Sequence, residues 1–499
     1  MSSHSASAPP TYGNWVQPKS PGLAGLGLIP TAALMSGVVL TLLVSMLVSA
    51  LAALVTAAVV LVPIALASVP IGAQTLGAAM TTRLGWILRK RRREDTYHSG
   101  VFASPLSGRP LPGVLAKTRM VATVDALNRQ IAVLYRPGRH HYSVVLHCRP
   151  DGAGLVDPET VDVWVSHWGG FLAALGQEPG LRGASVVVDT APDTGDWLAS
   201  EHARTLSPTA PQLARDVLEE VIREFPQASA DQSVYVCLTY AGADLYRKPG
   251  DTGAVVAELV RRLPGLMGAM EMGGSGPVEP LAPRELATLV RVAYDPAAQS
   301  VVAGAEAELA PVQVEWSQAG PVSARESWGS YAHDSGVSVT WEMVEAPRGV
   351  VFSNVLAPLL QPDVRLTRKR VALVLRPHDA GEATGITERD ASAASLNARK
   401  PGGRITADAE RRVQATRQAE GDVSAGAGLT RFALLVTATV ASVEDLPEML
   451  ATVDRVGRMS RLRLRVSYGH QAAAFAASLP VGFLPWDYTV LPSSVRSLL

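Results

Sequence analysis

The stretch Gly27–Val69, GLIPTAALMSGVVLTLLVSMLVSALAALVTAAVVLVPIALASV, carries no charged residue and no histidine. The charge-free run is wider still, because Asp, Glu, Lys, Arg and His are all absent from Ser20 to Thr82. One helix needs only about 20 apolar residues to cross a hydrocarbon core of roughly 30 Å. The run therefore has room for two. It is expected to form spans over Gly27–Leu47 and Ala50–Val69, joined at MLVSAL (Met46–Leu51) by a turn with no polar loop. Pro63 falls inside the second span, where a neighbouring helix can help satisfy the carbonyl it frees.

The basic segment immediately after the run sets its orientation. Arg83, Arg89, Lys90, Arg91, Arg92 and Arg93 crowd a short part of a chain whose 45 Lys+Arg balance 45 Asp+Glu. Basic residues flanking a span hold that end in the cytoplasm and attract anionic lipid. Two spans then place the N-terminal tail in the cytoplasm as well. The exit segment IGAQTLGAAMTTRLGWILRK (Ile71–Lys90) is amphipathic and is expected to run along the bilayer surface, with Trp86 at headgroup depth. A nucleic-acid patch is compatible with the same charges, so nucleic acid stays open as a partner. A secretory signal fits poorly, because the apolar run far exceeds an h-region of about 7–15 residues and only Lys19 precedes it among the basic residues. A buried core hairpin of a soluble protein is the remaining alternative.

The organisation expected is a tail over 1–26, a transmembrane hairpin and exit helix over 27–82, and a basic flank and extended connector over 83–120. A cytoplasmic α+β region continues the chain in two halves, 121–280 and 281–499. RQIAVLYRP and HYSVVLHCRP predict a β-hairpin, and GASVVVDT and QSVYVCLTYAG two further strands. PETVDVWVSHWGGFLAALGQ and GAVVAELVRRLPGLMGAM predict helices, as does PTAPQLARDVLEEVIREF, where Leu213, Val217, Val221 and Ile222 share a face. The second half reads as GVSVTWEMVEAP (strand), VVFSNVLAPLLQP (helix), RVALVLRP and RFALLVTATV (strands), a helix at VEDLPEMLATVDRVGRM and a strand at RLRLRVSY. Residues 379–428 interrupt it with a charged, Ala-rich segment, expected to be a helical arm broken at KPGG. Both readings of the arm stay open, as a solvated helix pair or as a partner surface; its basic residues Arg389, Arg399, Lys400, Arg404, Arg411 and Arg412 are the candidate contacts.

Catalytic patterns are absent from the sequence. It has no GxxxxGK[ST], HExxH, CxxC or GxSxG. GGSGP lacks a preceding strand and reads as a linker. His140 and His141 are adjacent and so face opposite sides of a strand; with His147 they are a weak candidate metal site. Cys148 and Cys237 lie in strand-like runs and are expected to be buried thiols. The expectation is a non-enzymatic protein with no cofactor and no metal.

Several motifs carry a resemblance. TYGNW, YHSGVFASPLSGRPLPGVLA, ELATLVRVAYDPAAQ, SWGSYAHDSGVSVTWEM, VLAPLLQP and HQAAAFAASLPVG occur in that order across almost the whole chain. Their succession resembles an actinobacterial family of integral membrane proteins encoded with conjugation-like, type IV secretion-like genes. The closing QAAAFAASLPVG is similar to the end of the N-terminal domain of the assembly ATPases of such systems. The resemblance implies a two-span membrane component fused to a domain like that ATPase's membrane-proximal half. It further implies a separate ATPase and other secretion subunits as partners, with homo-oligomers possible. An EccE-like membrane subunit of type VII secretion, and a membrane-anchored enzyme of unknown chemistry, are the competing readings. Trp328, Tyr331 and Trp341 sit in the matching motifs and are expected to be core aromatics rather than an interface.

Overall fold

The computed structural model describes residues 12, 13, 15, 28–67, 69–71, 74–99, 110–152, 154, 156–207, 209–228, 230–246, 248, 250–308, 310, 312–347, 349–398 and 407–488. The chain divides into two compact units. One comprises the described residues of Met1–Trp15, Asp95–Glu388 and Arg417–Leu484. The other comprises those of Val16–Glu94, Arg389–Thr416 and Pro485–Leu499.

In the second unit the charge-free run folds as helices α1 (Leu28–Leu47) and α2 (Ala50–Ala67). Their ends fall within two residues of the spans expected from sequence. The helices pack on one another through Gly37, where an added Cβ would lie 2.7 Å from Val60 Cγ1. Hydroxyl groups in the pair are satisfied within their own helices: Thr41 donates to the Gly37 carbonyl and Thr56 to the Ala52 carbonyl, each at 2.8 Å. The helix Ala50–Ala67 is long and apolar enough to cross a membrane, with a mean hydropathy of 2.6 and only 6% of it buried. Within α1, Thr31–Leu47 is apolar but shorter. Helix α3 (Leu76–Arg91) comes next, started by Thr75, whose hydroxyl accepts from the Ala78 N–H. Gly77 lets the chain turn tightly, since a Cβ there would meet Ala67 at 3.0 Å.

The first unit is built on a thirteen-stranded sheet. Its strands are β1 (Thr96–His98), β2 (Arg119–Val124), β3 (Gln130–Arg136), β4 (His141–Cys148), β5 (Leu181–Pro192), β6 (Ala230–Ala241) and β7 (Val278–Pro280). They continue with β8 (Ser323–Glu326), β9 (Tyr331–His333), β10 (Gly336–Glu345), β11 (Arg368–Pro377), β12 (Thr430–Val440) and β13 (Arg463–Val466). The order is β1-β8-β9-β10-β12-β11-β5-β6-β4-β3-β2, with β13 beside β10 and β7 beside β4. Every pairing is antiparallel.

Leaving out the edge strand β1, the order reads the same from both ends. From β2 inward it runs hairpin, strand, strand as β3-β4-β6-β5; from the other side it runs β9-β10-β12-β11. The two series meet where β5 pairs with β11, Val187 opposite Ala372. In each half a helix after the last long strand leads to a short strand that returns to the hairpin's second strand. These are α7 (Thr252–Met270) before β7 and α12 (Leu446–Met459) before β13. Each short strand is succeeded by a helix, α8 (Pro283–Tyr294) and α13 (Gln471–Ser478). Side chains repeat as well. Ser143 bonds its cross-strand partner Thr239 at 2.8 Å, and Ser338 bonds its partner Thr439 at 2.7 Å. The fold is thus an internal repeat with a pseudo-two-fold axis at the β5–β11 junction.

One sheet face is mainly apolar, and the other carries a row of buried polar residues among apolar ones. On the first, α4 (Pro158–Leu175) and α7 cover Tyr142, Val144, Leu146, Val236 and Leu238, while Val339, Trp341, Val371 and Val436 pack with α12. Tyr331 and Trp341 are buried as expected of core aromatics, and the Trp328 ring is stacked on Tyr468. Cys148 and Cys237 are buried free thiols whose pKa values burial pushes up to about 12. The opposite face carries Ser143, Thr239, Asp189, Arg368, Arg370, Ser338, Thr340, Thr437 and Thr439, all buried.

Two sequence expectations need correction, and one helix forms as expected with its apolar face left exposed. VVFSNVLAPLLQP forms a helix only over Ala357–Leu360, where Pro358 starts the turn. The glycine-rich GGSGP is no open linker, because it makes a tight turn against α4: a Cβ on Gly274, at φ 79°, would strike the Trp164 ring at 2.6 Å. Helix α6 (Gln212–Ala228, after α5, Asp196–Thr205) forms where its periodicity predicts, but Leu213, Val217 and Val221 are 75%, 50% and 45% exposed. The arm forms helices α10 (Ala380–Ala398) and α11 (Ala407–Ser424), with Ala383, Thr387, Ala394, Ala415 and Thr416 buried. Its expected break at KPGG lies outside the described residues.

Candidate functional site

Two regions present chemistry. In the second unit, the apolar side chains of the hairpin face outward: Leu42, Leu47, Leu51, Leu54, Val59 and Val62 are all at least 60% exposed. Exposed leucines and valines over two adjoining helices form a continuous apolar patch, of the kind that marks a protein–protein or membrane interaction surface. Arg83, Lys90, Arg91, Arg92 and Arg93 are exposed on and just after α3. Trp86 is buried, with the Arg89 guanidinium 5.6 Å from its ring centroid. The exposed apolar residues of α3 are instead Met80, Leu84, Ile87 and Leu88.

Of the arm residues expected to meet a partner, Arg389 and Arg411 are exposed and Arg412 half-buried. The Arg411 Nε donates to its own helix at the Ala407 carbonyl, 3.3 Å away. Arg399, Lys400 and Arg404 lie outside the described residues.

The first unit contains a cleft of about 910 Å³ over the polar face of the sheet. The strand ends of β4, β6 and β11 form its floor; α8 and α9 (Ala298–Ala307) and the start of α5 form its walls. Its anchor is an ion pair at the junction of the two halves. The Arg368 Nε and terminal nitrogen donate to Asp189 at 2.9 and 2.8 Å, and its other terminal nitrogen donates to Gln299 Oε1 at 3.1 Å. Both partners are buried, so geometry and the third hydrogen bond must offset desolvation. Nearby, His147 stacks on Tyr235 at 5.1 Å between centroids. Burial lowers the His147 pKa, and the neighbouring Arg149 lowers it further. Burial raises the Asp231 carboxyl above its ordinary range, with Asp189 and Asp193 adding to the rise against Arg368. Burial pushes the Tyr235 phenol up to about 12. A neutral imidazole and a reluctant carboxylate within one cleft are the kind of groups that bind or move a proton.

The cleft was hidden from sequence reading. Its groups come from positions as far apart as Arg129 and Arg368, and none belongs to a local motif. The three histidines considered together do not converge: His140 contacts Tyr135 Oη at 3.1 Å, His141 is buried at the start of β4, and His147 is near its end. Burial first, and Arg136 second, holds the His141 pKa down at about 4. Among the described residues no group of three or more His, Cys, Asp or Glu is placed to hold a metal ion.

A family model described as Domain of unknown function (DUF8461) matches residues 19–69, the segment that contains the hairpin. No curated protein matches the chain.

Proposed function

We propose that this chain is a non-enzymatic inner-membrane component of a conjugative, type IV secretion-like translocation machine. Helices α1 and α2 together cross the membrane as a hairpin. The basic residues Arg83 and Arg89–Arg93 hold its exit in the cytoplasm, with both termini on that side. The sheet unit is then cytoplasmic and recruits a separate ATPase. One observation carries the reading: two adjoining helices expose leucine and valine outside the face on which they pack together, and a cluster of basic residues follows on the next helix and at its end. The order of motifs along the chain supports the secretion context, and the arm is the candidate docking surface. The experiment is purification from the native host in mild detergent, with mass spectrometry of co-purifying chains. Recovery of a conjugation-type ATPase supports the reading, and recovery of type VII core subunits overturns it.

A second reading, a membrane-anchored enzyme or receptor, is favoured by the cleft with its raised Asp231 and neutral His147. A small molecule that stays bound to the purified chain, and is lost in Asp231→Asn, supports that reading instead.

A further inference from the structure

Helix α3 differs in its exposed surface from the one its sequence suggests. Met80, Leu84, Ile87 and Leu88 are 62%, 59%, 45% and 46% exposed. Their spacing, i, i+4, i+7 and i+8, gathers them within about 100° of the helix surface. An apolar stripe of this kind normally faces a core, yet these residues are exposed. Trp86 lies about 140° round the helix from the stripe's centre at 100° per residue. It is the aromatic residue expected to anchor the helix at the headgroups, and it is buried instead, with Arg89 over its ring. Arg83 and Lys90 flank the stripe on one side, and Arg91, Arg92 and Arg93 extend beyond its C-terminal end. The exposed part of the helix is thus apolar along one line and cationic at its border and end.

Position narrows the occupant. The helix begins nine residues after α2 ends, with Gly77 in close approach to Ala67. A surface that covers the stripe therefore lies next to the surface that covers α2. Its apolar content must suit leucine, isoleucine and methionine, and its polar boundary must be anionic. A bilayer leaflet rich in acidic lipid meets both requirements and is continuous with the hairpin's surroundings.

We infer that α3 lies in the plane of the membrane interface, with Met80, Leu84, Ile87 and Leu88 in the acyl boundary and its arginines and lysine on anionic lipid headgroups. The inference rests on the membrane reading of the hairpin. It assigns the depth anchor to the aliphatic stripe and gives Trp86 an internal packing role.

The test uses the full chain in nanodiscs, labelled at single introduced cysteines. Native Cys148 and Cys237 are buried and do not compete for the label. Probes are placed at Met80→Cys, Leu84→Cys, Ile87→Cys and Leu88→Cys, at Gly85→Cys about 115° from the stripe's centre, and at Val59→Cys in α2. At Gly85 an added Cβ meets nothing within 4 Å, so that variant keeps the fold. Lipids with a nitroxide near the headgroup are expected to quench the four stripe positions several-fold more than Gly85→Cys. Replacing phosphatidylglycerol by phosphatidylcholine is expected to reduce that difference several-fold. Equal quenching at stripe and control positions, with Val59→Cys still quenched by a deep nitroxide, overturns the inference and leaves the hairpin reading standing. An unquenched Val59→Cys overturns both. Stripe quenching that is indifferent to phosphatidylglycerol overturns the assignment to anionic lipid.

Discussion

His333 ties together four elements of the sheet unit, and its protonation should loosen them. Its Nδ1 lies 2.6 Å from the Tyr294 carbonyl on α8, and its Nε2 lies 2.7 Å from Ser338 Oγ on β10. The carbonyl can only accept, so Nδ1 carries the proton and Nε2 accepts from Ser338. Ser338 in turn accepts from Thr439 on β12. Protonation would turn the Ser338 and Thr439 bonds round and place a charge on a buried ring. Burial, the largest cause, holds the His333 pKa down at about 4 from 6.5, against the Tyr294 hydrogen bond that favours the charged form. A folded value below the unfolded one means that the unfolded chain binds the proton first. The stability contributed is therefore present above about pH 6.5 and is lost as pH falls toward 4. With these two values, linkage gives a loss of about 2 kcal/mol between pH 7 and pH 5 from this residue alone. The assay is urea unfolding of the full chain in detergent at both pH values, monitored by tryptophan fluorescence. His333→Gln should be less stable than the parent at pH 7, yet lose less stability on acidification, by about that amount. His141 contributes a similar acid loss to both proteins, so the difference between them isolates His333. Equal pH dependence in parent and variant refutes the reasoning.

Particular contacts give the other expected outcomes. Asp189→Ala strands the Arg368 guanidinium and should cost about 3–5 kcal/mol in denaturant unfolding, whereas the paired change Asp189→Leu with Arg368→Met should recover most of that loss. Phe475→Ala empties a fully buried ring site against Tyr294, Tyr331 and Arg370 and should cost about 3–5 kcal/mol in the same assay. Leu213→Ser and Val217→Ser on exposed α6 should each change stability by less than about 0.5 kcal/mol, although both residues lie on the apolar face of an amphipathic helix. Gly482→Ala should lower the melting temperature, because φ is 66° and the new Cβ would lie 2.4 Å from Thr239 Oγ1, at the point where the C-terminal segment meets the sheet.

Local patterns were legible and long-range ones were not. The hairpin helices announce themselves through absence of charge, and β3, β4, β6 and β11 through β-branched runs between turns. The repeat is not legible in the sequence because its signature, Ser143 with Thr239 and Ser338 with Thr439, consists of two small polar residues separated by about a hundred positions. Helix α6 shows the limit of periodicity: a 3.6-residue pattern predicts a helix with an apolar face, but whether anything covers that face is a tertiary matter. Trp86 shows the same limit in reverse, since an aromatic near a span reads as an interface anchor until its burial is known. The cleft depends on strand ends brought together by the β5–β11 pairing, and no local spacing records that event.

The central claim is that α1 and α2 form a two-span anchor with the basic run in the cytoplasm. Alkylation of single cysteines in intact cells tests it most directly, with positions in the N-terminal tail, at the Val48–Ser49 turn, and beside Arg92. A membrane-impermeant reagent should label only the turn, leaving both flanks protected until the cells are opened. Labelling beside Arg92 in intact cells, or protection of the turn together with recovery of the chain in the soluble fraction, would contradict the account.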